Sequence, residues 1–102
     1  VRLAVLILSL YLLVLGVATA AKASTVSQAR AEIARLWGAQ APRAYCIVRR
    51  ESNWNPRAVS PTNDYGLFQL NAIHAHAFGA RWRDVLDPVA NVRMAFTLYR
   101  SQ

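Results

Sequence analysis

The chain has 102 residues, with 12 Lys+Arg against 5 Asp+Glu and a single cysteine. That length is enough for one small domain. The net charge of +7 suits an anionic polymer as partner. The arginines are scattered among Ala and Trp, with no basic run and no nucleic-acid motif, which argues against a nucleic-acid binder.

In chain order, the first segment reads as a secretory signal over residues 1–23. Arg2 gives the positive start, residues 3–17 form an almost unbroken apolar run, and Ala18-Thr19-Ala20 or Ala21-Lys22-Ala23 supplies an A-x-A cleavage site. The alternative is an uncleaved membrane anchor, since the run through residue 21 nearly spans a bilayer. The 55% hydrophobic content is inflated by this segment and does not indicate a large core. On the signal reading, residues 24–102 are a secreted or cell-wall-associated, monomeric domain.

Thr25-x-x-Gln28 forms a capping box. It predicts a helix to Trp37, with Ile33, Leu36 and Trp37 inward and Gly38 ending it. Residues 41–52 predict a second helix, with Pro42 in its first turn. Ile47, Val48 and Glu51 share its apolar face, Arg49 and Arg50 point away, and Trp54 walls the same pocket. Asn55-Pro56 breaks the chain into a loop. Ala58-Val59 is expected to pair with residues 65–70 as a short β-hairpin around a polar turn that holds Asp64. Asn71 caps a short helix over 72–78, stopped by Gly79. Asp87 and Pro88 start a last helix to about Arg100, with Val92, Ala95, Phe96 and Tyr99 on one face. The fold class is a mainly α small domain with a short β-hairpin next to a cleft.

Two carboxylates in unlike settings stand out. Burial on an apolar face disfavours the charged form, which suits Glu51 to donate a proton, whereas a wet turn keeps Asp64 ionised. That division of labour is what acid-catalysed glycoside cleavage needs. The plainer readings are a surface glutamate at a helix end and a turn aspartate bonding its own backbone.

At these residues the chain resembles the lysozyme-like superfamily. Glu51-Ser52 matches the Glu-Ser of C-type lysozymes and of bacterial SLT-type (soluble lytic transglycosylase) domains. Ala58-Val59-Ser60-Pro61 and Gly66-Leu67-Phe68-Gln69-Leu70 look like the AVSP and GLMQL elements of SLT domains. Asp64-Tyr65-Gly66 with Gln69 and Asn71 is similar to the DYG-x-x-Q-x-N element of C-type lysozymes. The resemblance runs over residues 44–99. It implies an α+β lysozyme-like fold and an exported glycosidase that cleaves the glycan strands of peptidoglycan without metal or cofactor. Glu51 would be the catalytic acid, and Asp64 the second carboxylate of the C-type pattern. The segment between them is shorter here than in C-type lysozymes, and SLT domains use one Glu, so Asp64 keeps both readings. Ser52, Tyr65, Gln69, Asn71 and Tyr99 become the expected substrate-binding residues, with core packing as the alternative for the tyrosines and helix capping for Asn71. Trp82 is a further candidate for stacking on a sugar ring. A non-catalytic wall-binding module of the same fold is the rival from another class. His74 and His76 are badly spaced for a shared metal. Cys46 lies where C-type lysozymes carry a disulfide cysteine, yet has no partner in the sequence. It reads as a free thiol, as a small buried side chain in a helix, or as a sign that the domain is C-terminally truncated.

Overall fold

Side-chain hydrogen bonds set the start of the first and last long helices. Thr25 Oγ1 accepts from the Gln28 N–H (3.1 Å) and Gln28 Oε1 from the Thr25 N–H (2.9 Å), so α1 (Val26–Trp37) begins with the expected capping box. Gly38, at φ +53°, ends it. A 3-10 turn (Gly38–Gln40) leads into α2 (Ala41–Ser52), with proline in its first turn. Asn53 closes α2 in the left-handed conformation, its N–H bonding the Arg49 carbonyl at 3.0 Å. The computed structural model describes residues 23–102; the predicted signal, apart from Ala23, lies outside them. Among the described residues no helix is long and apolar enough to cross a membrane.

The β element is smaller than the expected hairpin. β1 (Asp64–Tyr65) and β2 (Leu70–Asn71) pair antiparallel, Asp64 opposite Asn71 and Tyr65 opposite Leu70. Residues 65–70 are therefore not one strand. Gly66 (φ +76°) and Gln69 (φ +51°) reverse the chain between β1 and β2. Of the predicted pairing with Ala58-Val59, one bridge remains, Val59 to Tyr65. Asn71 caps a 3-10 turn (Ala72–His74) through Oδ1, which accepts the Ile73 N–H at 3.0 Å. The short α3 (Ala75–Phe78) follows and stops at Gly79, and a 3-10 stretch (Gly79–Asp84) leads on. Asp87 then caps α4 (Pro88–Arg100), its Oδ2 accepting the Ala90 N–H at 3.1 Å.

α1 packs on α4 and α2, and three contacts run along the α1–α4 pair. At the N-terminal ends Ser24 donates to both Asp87 carboxylate oxygens (2.8 and 2.7 Å). Midway, Glu32 binds Arg93 (2.9 Å) and also Arg35. At the C-terminal ends Trp37 packs on Phe96 and Tyr99, with ring centroids 4.9 and 5.9 Å apart. The two helices therefore run in the same direction. Glu32 is a buried charge that the helix pattern did not reveal. Burial pushes its carboxyl up, but the hydrogen bonds and charges of Arg35 and Arg93 outweigh that and hold it below its ordinary value.

The core combines Ala29, Ile33 and Trp37 of α1 with Ala44 and Val48 of α2, Leu67, Leu70, Phe78 and Val85, and Val92, Met94 and Ala95 of α4. Leu36 is only half-buried, and Tyr99 is 47% exposed. The inward face of α2 also differs from expectation. Its buried positions are Ala41, Ala44 and Val48, and that stripe continues to Ser52, four residues on. Ile47 (39% exposed) and Glu51 sit beside the stripe and face outward. Cys46 is exposed as well, so it is not the small buried side chain considered above. These positions predict a contrast. Ile33→Ala, at a fully buried site, should cost about 2–5 kcal/mol. Ile47→Ala should cost under about 1 kcal/mol. Urea midpoints of the two variants measure the difference, and equal shifts would return Ile47 to the core.

Candidate active site

Glu51 lies in the last turn of α2 and is exposed. The burial expected for a proton donor is absent. Among the described residues the ion pairs are those of Glu32 with Arg35 and Arg93, and Glu51 belongs to neither. Its neighbour Ser52 is tied down twice: Oγ bonds the Val48 carbonyl (3.1 Å) and the Leu67 carbonyl (2.8 Å). The second bond joins the end of α2 to the turn between β1 and β2. Ser52 was expected at the substrate, but its hydroxyl is directed to the backbone.

That turn is built from the other motif residues. Gln69 Nε2 donates to the Ala58 and Gly66 carbonyls, both at 3.0 Å. Asn71 Nδ2 donates to the Thr62 carbonyl and to Asp64 Oδ1, both at 3.0 Å. Asp64 Oδ2 accepts from the Ser60 hydroxyl (2.7 Å) and from the Thr62 hydroxyl. Both Asp64 oxygens and both amide nitrogens are thus engaged within the loop. The hydrogen bonds from Ser60, Thr62 and Asn71 hold the Asp64 carboxyl below its ordinary value of 3.8, against a smaller upward push from burial.

Glu51 continues the helix face of Ile47, one turn back. Ile47 lines a cavity of about 320 Å³ together with Trp37, Arg43, Phe68, Leu70, Leu98 and Tyr99. Trp37 and Phe68 stack at 5.3 Å and 7° inside it. Tyr99 thus borders the cavity, while Tyr65 packs edge-on against Trp82 at 5.9 Å. Trp54 does not line this cavity; the Arg30 guanidinium lies 4.9 Å from the Tyr45 ring centre and 4.8 Å from that of Trp54. A larger cavity, about 750 Å³, opens between α1 and α4 around Gln28, Arg35 and Arg93. It contains none of the motif residues and borders Ala23, where the described residues begin, so the smaller cavity is the better candidate. His74 and His76 join no cluster of three His, Cys, Asp or Glu side chains among the described residues.

One polar residue of this region was missed. Asn91 of α4 is completely buried and holds the Tyr65–Phe68 turn from behind through two hydrogen bonds, with a third to the Val85 carbonyl. Its only sequence signal was an amide beside the apolar Val92 of the last helix.

Helices around a small antiparallel β element, with an exposed glutamate in the last turn of the second helix, one turn beyond the Ile47 that lines an aromatic cavity, make this a mainly α lysozyme-like domain. The Transglycosylase SLT domain profile matches residues 29–101, and the chain belongs to that family. Over 47 residues it is 40% identical to the membrane-bound lytic murein transglycosylase F of Yersinia pseudotuberculosis serotype I (strain IP32953). The matched stretch covers 46% of this chain and 9% of that protein. No solved structure matches the chain.

The bonding of Asp64 has a pH signature. Folding lowers its titration point, so its stabilisation is complete above 3.8 and is lost as pH falls through the lower folded value. Asp64→Asn should reduce the Tm at neutral pH, and the gap from wild type should close in strong acid. Thermal unfolding across that range tests this. A gap independent of pH would mean that the carboxylate charge does not hold the loop.

Proposed function

We propose that this chain is a peptidoglycan lytic transglycosylase domain in which Glu51 is the general acid. The observation that carries the proposal is the placement of Glu51. It is an exposed carboxyl outside the ion pairs, on the helix face that borders the aromatic cavity, next to a serine bonded to the motif turn. Membership of the SLT family supports the reading. So does the name of the Yersinia relative, a murein transglycosylase.

A glycan strand laid along the cavity would put a glycosidic oxygen beside Glu51. Glu51 gives its proton to that oxygen, and the bonding pair of the C–O bond leaves with it. The sugar left behind has oxocarbenium character. Its own 6-hydroxyl then attacks the cationic carbon and returns a proton to the Glu51 carboxylate, closing an anhydro ring with no water consumed. The exposed faces of Phe68 and Tyr99 offer apolar surface for sugar rings. Gln69 and Asn71 serve chiefly by shaping the turn. The internal bonding of Asp64 favours this one-carboxylate route over the two-carboxylate one. The reaction belongs in the cell envelope, which the secretory reading of residues 1–23 would provide, and the chain acts as a monomer without a cofactor.

Purified wall treated with the protein should release muropeptides with anhydro ends, one water lighter than hydrolysed ends by mass spectrometry. Glu51→Gln should lose at least ~100-fold in rate with its helical circular-dichroism spectrum intact. Asp64→Asn, at a temperature where it is folded, should lose much less. Hydrolysed ends would make the enzyme a lysozyme-type hydrolase. Binding to wall without release would favour the non-catalytic module. Full activity of Glu51→Gln would refute the assignment of the acid.

A further inference from the structure

Asn91 is out of place by composition. It is an amide at 0% exposure in a helix whose other inward residues are apolar. A buried amide is tolerated only when its polar atoms are matched. Here Oδ1 accepts the Phe68 N–H (2.9 Å), and Nδ2 donates to the carbonyls of Tyr65 (3.0 Å) and Val85 (2.8 Å). One rigid planar group therefore grips both ends of the Tyr65–Phe68 turn and ties them to the chain leading into α4. The approach is close enough to dictate the residue between. A Cβ on Gly66 would lie 2.4 Å from Asn91 Nδ2, and the backbone there has φ +76°, so glycine is required on both counts.

The middle of the same turn faces the other way. Leu67 is the residue whose carbonyl accepts the Ser52 hydroxyl at 2.8 Å, and Ser52 is the neighbour of Glu51. The Phe68 ring stacks on Trp37 in the cavity wall. A shift of the turn would therefore move both the end of α2 and the wall beside it. Misplacement of a reacting group by about 1 Å can cost ~100-fold in rate.

We infer that Asn91 is a positioning residue for catalysis, setting Glu51 through the Tyr65–Phe68 turn and Ser52. This inference rests on the reading of Glu51 as the acid. The test compares Asn91→Ala, Ser52→Ala, their double variant and Met94→Ala in the full chain. Met94 is equally buried on α4 (1% exposed) and gives no hydrogen bond to the turn, so it controls for lost stability alone. Each protein is assayed on purified wall well below its own Tm, with circular dichroism confirming the fold. Asn91→Ala should lower kcat about 30-fold or more with KM within about threefold, part of the misplacement range above. Ser52→Ala should also lower kcat. The double variant should fall little below the worse single, because both act through one connection. Met94→Ala should lower Tm but keep kcat. If Asn91→Ala does not fold, Asn91→Ser and Gly66→Ala disturb the same contact and should show the same kcat loss.

A folded Asn91 variant with wild-type kcat overturns the inference. An equal kcat loss in Met94→Ala, or fully additive losses in the double variant, does so too. In each of these cases the Glu51 reading survives. A fully active Glu51→Gln, or a wild type that releases nothing, overturns both.

Discussion

The rest of the site depends on the hydroxyl of Ser52. It lies between two carbonyls, one belonging to its own helix and the other to the turn between the two short strands. A serine that bonds back to the carbonyl four residues earlier adds no stability to a helix by itself, but its second bond, to the Leu67 carbonyl, gives the last turn of α2 a fixed neighbour. α2 ends immediately afterwards, with Asn53 and Trp54 both in left-handed conformations (φ 50° and 62°). The direction of Glu51 follows from these two conditions. The helix stops one residue past it, and that residue is tied to the turn.

The five acidic side chains divide between structure and surface. Glu32, Asp64 and Asp87 are engaged by arginines, hydroxyls, amides or a helix start, and all three titrate below their ordinary values. For Asp87 burial opposes the shift, and bonds from Ser24 and Ala90 overcome it. Glu51 and Asp84 are the exposed acids. These two face solvent outside the ion pairs of the described residues, apart from the acids that serve the fold. The chain is a member of the SLT family, while the match to the Yersinia protein concerns only a small part of that protein.

What could be read from the sequence was what depends on near neighbours. The Thr25 box, the Asn71 and Asp87 caps and the glycines that stop helices each act within a few residues, so their letters were sufficient. The acidic motif and the turn residues were visible for the same reason. The inward face of α2 was misjudged because alanines carry most of it. Ala41 and Ala44 are weak hydrophobic signals, and the bulkier Ile47 drew the predicted stripe about one residue round the helix. Glu32 and Asn91 were missed for a different reason. Their partners lie 61 and 23–26 residues away for Arg93 and the turn. A buried polar residue whose burial depends on tertiary contacts looks like a surface residue in a local pattern. The broken strand at 65–70 follows from the same contact, since Gly66 bends where Asn91 meets it.

The same-direction pairing of α1 and α4 has a consequence for how the domain is presented. Ser24 and Asp87 clasp the two starting ends, whereas Trp37 and Tyr99, which border the cavity, belong to the finishing ends. The 12 residues of α1 separate these ends by about 18 Å at the rise of an α-helix. Anything that holds the chain from the side of Ser24 therefore holds it at the pole opposite the cavity. The cavity then faces away from that point of attachment.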